Sequence, residues 1–253
     1  MRFLAWRVNS SSTPGRASRG AHSPQSTPPE APDGVWMGQD GDVEGEEGTF
    51  RLVVLASGTG SNLQAILDRL HGREGIEVAG VGSDRPDAKA LDRALEAGVE
   101  TATFPRDDFP DRETRDLAMA DWIDSLDTDL VVLAGFMALL TPPFISRFRN
   151  RIVNVHPSLL PLFPGLDAIG QALEAGAAET GVTVHFVDEG TDTGPVIAQQ
   201  AIPIRSGVDR EELEAEIHAV EHQLFPEAIG MVARGEVRIA EDDPGRVIIE
   251  RGG

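Results

Sequence analysis

Beyond residue 50 the chain alternates short apolar runs with longer stretches in which apolar residues return every three or four positions. Arg51 to Ala56 (RLVVLA), Ile76 to Gly82, Glu100 to Phe104 and Asp129 to Ala134 (DLVVLA) are brief and bounded by polar residues or glycine. They predict strands, the apolar ones buried on both faces. Between them, Ser61 to His71 carries Leu63, Ile66, Leu67 and Leu70 at helical spacing, and Asp87 to Gly98 reads as a helix closed by glycine. Asp111 to Leu126 predicts a helix with Leu117, Ala118, Trp122 and Ile123 on its inward side. Pro142 to Phe148 predicts a short helix, Arg151 to His156 a strand, and Asp167 to Ala175 another helix. Val182 to Val187 and Val196 to Ile204 read as strands separated by an acidic, glycine-rich loop. Arg210 to Arg234 predicts the longest helix, with Leu213, Ile217, Val220, Leu224 and Phe225 as its buried stripe, and Val247 to Glu250 a small edge strand. Alternating strands and helices call for an α/β fold: a Rossmann-like, doubly wound, mostly parallel sheet. The close strand pair near 182–204 predicts an antiparallel addition in the C-terminal half.

The first 50 residues break this pattern. Ser10 to Gly34 is rich in Ser, Pro, Gly and Arg with almost nothing to bury, and Met37 to Glu47 is acidic. The expectation is a disordered extension at 1–50 ahead of one catalytic domain at 51–253. Met37 is expected to be the natural first residue, which the intact mass of the natively expressed protein checks. A net charge of −20 over 253 residues excludes the basic surface that nucleic acids or anionic membranes require. The absence of cysteine excludes disulfides, thiol nucleophiles and zinc–thiolate sites, and the six histidines have no metal-ligand spacing. No apolar run reaches the roughly 20 residues that span a bilayer.

Three segments carry candidate chemistry. In the first, Asn154 and His156 sit two apart on a predicted strand, so their side chains leave from one face. Pro157 ends the ladder, and Pro161, Pro164 and Gly165 make the following segment a stiff loop. Open α/β sheets build active sites at such carboxyl edges, although a histidine there is also commonly structural. In the second, Ser57-Gly58-Thr59-Gly60-Ser61-Asn62 joins a strand to a helix whose first amides are free for an anion. Leu63 stands where a dinucleotide fingerprint needs glycine, and no Gly-Lys-Ser/Thr follows, so a single phosphate fits better than a pyrophosphate. A plain strand–helix turn is the alternative. The third, Val187 to Pro195 (VDEGTDTGP), reads as a solvated turn, as a calcium loop lacking the required spacing, or as the source of a carboxylate facing His156. In that last case the carboxylate would orient the imidazole and favour its charged form.

Together VVLASGTGSNLQAIL, VVLAGFMALL, NVHPSLLPLFPG and GVTVHFVDEGTDTGPVIAQ resemble the folate-dependent formyltransferases, over about residues 51 to 240. The resemblance implies the formyltransferase fold and a direct transfer of formyl from 10-formyltetrahydrofolate to the amine of glycinamide ribonucleotide, a step of purine biosynthesis. No covalent enzyme intermediate and no metal is implied. The small-molecule substrates would be the only partners, in a cytoplasmic monomer or homodimer. By the same resemblance Asn154, His156 and Asp192 are catalytic, Gly60, Ser61 and Asn62 hold the substrate phosphate, and Glu221 holds the ribose hydroxyls. Arg112 lies near the folate tail; Met137, Ala138, Leu139 and Leu140 form one wall of the pterin pocket, and Asp188, Glu189, Gly190 and Thr191 the other. The chain departs from the usual pattern at Ala138, where Arg or Lys is common, at Leu162, where Lys is frequent, and at His218, where Gln is familiar. Rival readings are a 10-formyltetrahydrofolate hydrolase using the same three residues and a nucleotide-binding regulator that has lost the reaction. The acidic charge weighs against the relatives that act on tRNA.

Overall fold

The computed structural model describes residues 48–250. The predicted extension, including Met37, therefore lies outside the described residues save for its last three positions. Phe50 already belongs to the first strand, one residue ahead of the expected boundary.

Strand β1 (Phe50–Leu55) is central, because Leu52 to Leu55 are wholly buried on both faces. Helix α1 (Ser61–Arg69) follows, then β2 (Ile76–Ser83), α2 (Lys89–Glu96), β3 (Glu100–Thr103), α3 (Arg112–Ser125) and β4 (Leu130–Leu133). The second half contains α4 (Pro142–Arg147), β5 (Ile152–His156), α5 (Ala168–Glu174), β6 (Glu179–Phe186), β7 (Val196–Pro203) and α6 (Arg210–Ala233). Seven strands form one sheet in the order β3-β2-β1-β4-β5-β6-β7. The first five pair in parallel, and β6 and β7 pair antiparallel. The strand order reverses at β1/β4, the position where open sheets leave a crevice for ligand.

The two faces carry separate cores. Val54, Leu63, Ile66, Val132, Ile217 and Phe225 pack on the face covered by α1, α2 and α6. Val53, Leu55, Phe104, Met119, Trp122 and Phe144 fill the face covered by α3 and α4.

Three expectations need correction. On α3 the inward face is Arg115, Asp116, Met119, Ala120, Trp122 and Ile123, while Leu117 is exposed and Ala118 only half-buried. A purely apolar reading missed it because two of the inward positions are charged. Strand β6 begins at Glu179, three residues early, because Glu179 to Gly181 pair with β7 even though they lack an apolar signal. The strand at Val247–Ile249 is not an edge of the main sheet. It forms a separate antiparallel pair with Val237–Ile239, too short a segment for the sequence pattern to reveal. Among the described residues no helix is long and apolar enough to cross a membrane.

Candidate active site

The carboxyl ends of β1, β4 and β5 open on one side of the sheet. Pro157 stops β5, and the loop that follows is held by side chains instead of backbone pairing. Ser158 donates to the Leu162 carbonyl at 2.5 Å, and Thr183 of β6 donates to the Ser158 carbonyl at 2.7 Å while accepting from the Leu160 amide at 3.1 Å. Gln199 of β7 donates to the Leu160 carbonyl at 2.8 Å. The loop is thus clamped to β6 and β7 along its first half.

His156 is buried, and each of its ring nitrogens faces an oxygen acceptor. Nε2 lies 2.9 Å from the Phe163 carbonyl of the loop, and Nδ1 lies 3.4 Å from Asp192 Oδ2. The same Oδ2 accepts from the Gly165 amide at 2.7 Å. Asp192 adopts a left-handed backbone with φ of 53°, a conformation that aspartate tolerates better than most residues. The carboxylate thereby ties the β6–β7 loop to both the imidazole and the proline loop.

Asn154 shares the face of β5 with His156 but does not bond it. Its Nδ2 lies 3.2 Å from Nε2 of His185, its cross-strand partner on β6. His185 Nδ1 faces the Phe186 carbonyl at 2.8 Å, a contact only an N–H can satisfy, so Nε2 is left as the acceptor for the Asn154 amide. Burial pushes the His185 pKa below its ordinary value, partly opposed by the Phe186 carbonyl and the Asp192 charge, which agrees with a neutral ring. His185 Nε2 is also 3.8 Å from Asp192 Oδ1. Asn154, His185, Asp192 and His156 therefore form one polar chain. Sequence reasoning missed His185; its signal was a histidine within VTVHFV, on the face it shares with Thr183 and opposite Val182 and Val184.

Beside this cluster, Gly60 caps α1 with φ of 71°. A Cβ on Gly60 would stand 2.7 Å from Ala90 Cα, so only glycine allows α2 to pack this closely. No side chain caps the first turn, and the first backbone bond of the helix runs from the Gln64 amide to the Gly60 carbonyl. The amides of Ser61, Asn62 and Leu63 are consequently left pointing outward, as a seat for negative charge. Buried Asn62 donates through Nδ2 to buried Glu221 of α6 at 2.8 Å, while its Oδ1 has no hydrogen-bond partner among the described residues. Burial raises the Glu221 pKa, against the opposing pull of the Asn62 bond and the charges of His218 and His156.

The remaining predicted positions divide. Met137 and Leu139 are 58% and 68% exposed, and Ala138 and Leu140 half-buried, on the irregular segment after β4. On the β6–β7 loop Asp188 accepts from the Gly190 amide at 3.0 Å and Thr193 Oγ1 at 2.7 Å, which folds the loop on itself. Glu189 lies 3.9 Å from Arg149, and Gly190 and Thr191 are exposed. Arg112 opens α3, exposed, and lines a cleft of about 460 Å³ with Leu117 and Thr141. No group of three or more His, Cys, Asp or Glu side chains among the described residues could hold a metal.

Residues 50–229 match the formyl transferase family. The chain is 45% identical over 189 residues to phosphoribosylglycinamide formyltransferase of Mycobacterium tuberculosis, covering 75% of this chain and 87% of that one. It is 45% identical over 195 residues to the trifunctional purine biosynthetic protein adenosine-3 of Drosophila melanogaster, which is 76% of this chain but spans only 14% of that relative's length. The crystal structure of glycinamide ribonucleotide transformylase 1 from Symbiobacterium toebii superposes with a TM-score of 0.78 at 45% identity, over 83% of this chain and 99% of that one. With this seven-stranded sheet and the polar cluster at its carboxyl edge, the chain belongs to the formyl transferase family and stands within it among the phosphoribosylglycinamide formyltransferases.

Proposed function

We propose that this protein transfers the formyl group of 10-formyltetrahydrofolate to the amine of glycinamide ribonucleotide, in purine biosynthesis and in the cytoplasm. The observation that carries the reading is the polar chain of Asn154, His185, Asp192 and His156, set beside an uncapped helix N-terminus. The amides of residues 61–63 seat the substrate phosphate. Glu221, held by Asn62, is an acceptor that suits ribose hydroxyls. The exposed apolar side chains of Met137 and Leu139 suit a flat heteroaromatic ring.

The formyl donor supplies an electrophilic one-carbon unit, which the ribonucleotide amine attacks directly. Asn154 has a second amide hydrogen free beyond the one turned toward His185. It donates that hydrogen to the formyl oxygen, where negative charge builds. His156 donates a ring N–H to the same oxygen, giving up its bond to the Phe163 carbonyl. Asp192 orients the ring and takes up, through an ordered water, the proton lost by the amine. The tetrahedral carbon then collapses and its bond to the folate nitrogen breaks. That nitrogen takes the proton back through the same water, leaving tetrahydrofolate and the formylated amine. No step calls for a metal or for a covalent bond to the protein.

The test is an incubation of the purified protein with 10-formyltetrahydrofolate, in chelator, with and without glycinamide ribonucleotide. Formyl loss that depends on the ribonucleotide is the expected result. Loss without the ribonucleotide would instead identify a hydrolase, and no loss a non-catalytic binding protein.

A further inference from the structure

We propose that Asp116, on α3 and outside the polar cluster, is a positioning residue for the wall of the folate pocket; this rests on the reading of residues 137–140 as that wall. The Asp116 carboxylate is fully buried. Its Oδ1 accepts from Arg115 Nε at 2.9 Å and Nη2 at 2.6 Å, and its Oδ2 accepts from the Thr141 amide at 2.7 Å. Burying an ion pair is a poor route to stability, since desolvation cancels most of the attraction. The Thr141 bond supplies a different reason for keeping it.

Residues 134–141 form neither helix nor strand, so their course must be fixed from outside. At one end Ser57 Oγ accepts from the Met137 amide at 2.8 Å and donates to Asp84 at 2.5 Å. At the other end Asp116 holds Thr141, the residue that caps α4. Between these anchors the amides of Ala138, Leu139 and Leu140 make no hydrogen bond among the described residues. The segment is therefore pinned at its ends by carboxylates, one directly and one through a hydroxyl, while its middle is left free to bond a ligand. Arg115 balances the Asp116 charge without using Oδ2. Thr141 also lines the cleft beside Arg112, so one carboxylate sets the wall relative to the start of α3.

The test compares two double variants that both remove the buried cation. Arg115→Met with Asp116→Asn keeps an acceptor for the Thr141 amide; Arg115→Met with Asp116→Leu removes it. Loss of a buried hydrogen bond to a charged group translates to about a tenfold effect or more. The Leu variant is expected to raise KM for 10-formyltetrahydrofolate by about that factor, with KM for glycinamide ribonucleotide nearly unchanged. The Asn variant is expected to restore most of the folate affinity. Equal KM values in the two variants, or parallel rises for both substrates, overturn the proposal. If the native protein shows no ribonucleotide-dependent transfer, the functional reading fails instead, and amide exchange judges the anchor alone: Thr141 protection lost with Leu but kept with Asn supports it, and no difference overturns it. Should the Leu variant not fold, exchange in the native protein decides, because Thr141 must exchange more slowly than Ala138 to Leu140.

Discussion

Asn154 meets His185, not His156, and that difference assigns each side chain a distinct job. His185 fixes which edge of the Asn154 amide carries its donors, and Asp192 fixes the plane of His156. Truncating Asn154 or Asp192 to alanine should leave the fold intact and lower kcat by at least about 10²-fold, the usual cost of losing one such donor. Near-normal turnover in either variant ends the assignment of roles. His185 makes a second, pH-dependent prediction. Its folded pKa lies below the ordinary 6.5, so it binds fewer protons folded than unfolded. The stability it contributes is present above the unfolded value and is lost as pH falls from there through the depressed folded value. Below that window His185 also becomes a donor and repels the Asn154 N–H. Denaturation midpoints of His185→Gln, compared with the native protein from pH 8 to 5, should therefore show a weaker acid dependence in the variant. Its kcat should stay closer to native than that of His185→Ala, because glutamine can still accept from Asn154. Parallel acid profiles would remove His185 from this account.

On the proposed function, the start of α1 serves by lacking something. A serine or aspartate cap would occupy one of the first-turn amides; Gly60 leaves them all open and lets α2 approach. Alanine at this position would hold a left-handed conformation at a cost of about 1–2 kcal/mol and meet Ala90 as well. At roughly 2–4 °C per kcal/mol for a chain of this size, Gly60→Ala should melt several degrees lower. It should also raise KM for glycinamide ribonucleotide more than KM for the folate. A variant that melts normally with both KM values unchanged would show that the turn does not seat the phosphate. The proline loop makes the converse point. Its first half is held by Thr183 and Gln199, and its second half by Gly165 on Asp192 and by Phe163 on His156. Only that second half must yield for His156 to serve a substrate.

At the scale of the whole molecule, charge outweighs any single pair. The chain carries 42 acidic and 22 basic residues. Many described ion pairs are exposed, such as Arg147 with Asp121 and Asp124 and Arg205 with Glu212 and Glu216, and exposed pairs contribute only about 0–1 kcal/mol each. The surplus of negative charge acts over longer distances and opposes the compact state. Raising ionic strength from about 0.01 M to 0.15 M shortens the screening length from roughly 30 to 8 Å. The melting temperature should rise over that range. A fall would mean that the exposed pairs, not the surplus, dominate.

The α/β class and most of the strands and helices were legible along the chain, because strands buried on both faces and amphipathic helices leave period signatures that survive without tertiary context; the inward face of α3 and the pairing of Val247–Ile249 were not. The sequence also marked Asn154, His156 and the Gly60 turn and pointed to a carboxylate somewhere in the 187–195 loop, since a proline stop, a glycine-rich turn and an acidic loop are local chemistry; only the resemblance to the formyltransferases singled out Asp192. Tertiary structure decided who bonds whom. The Asn154–His185 contact depends on the antiparallel register of β5 and β6, and the Asn62–Glu221 contact joins residues far apart in the chain. Asp116 carries no signal of its own along the chain; it is the packing of α3 that turns it inward, to the Thr141 amide. Burial and register are properties of packed elements, and no window along the chain contains them.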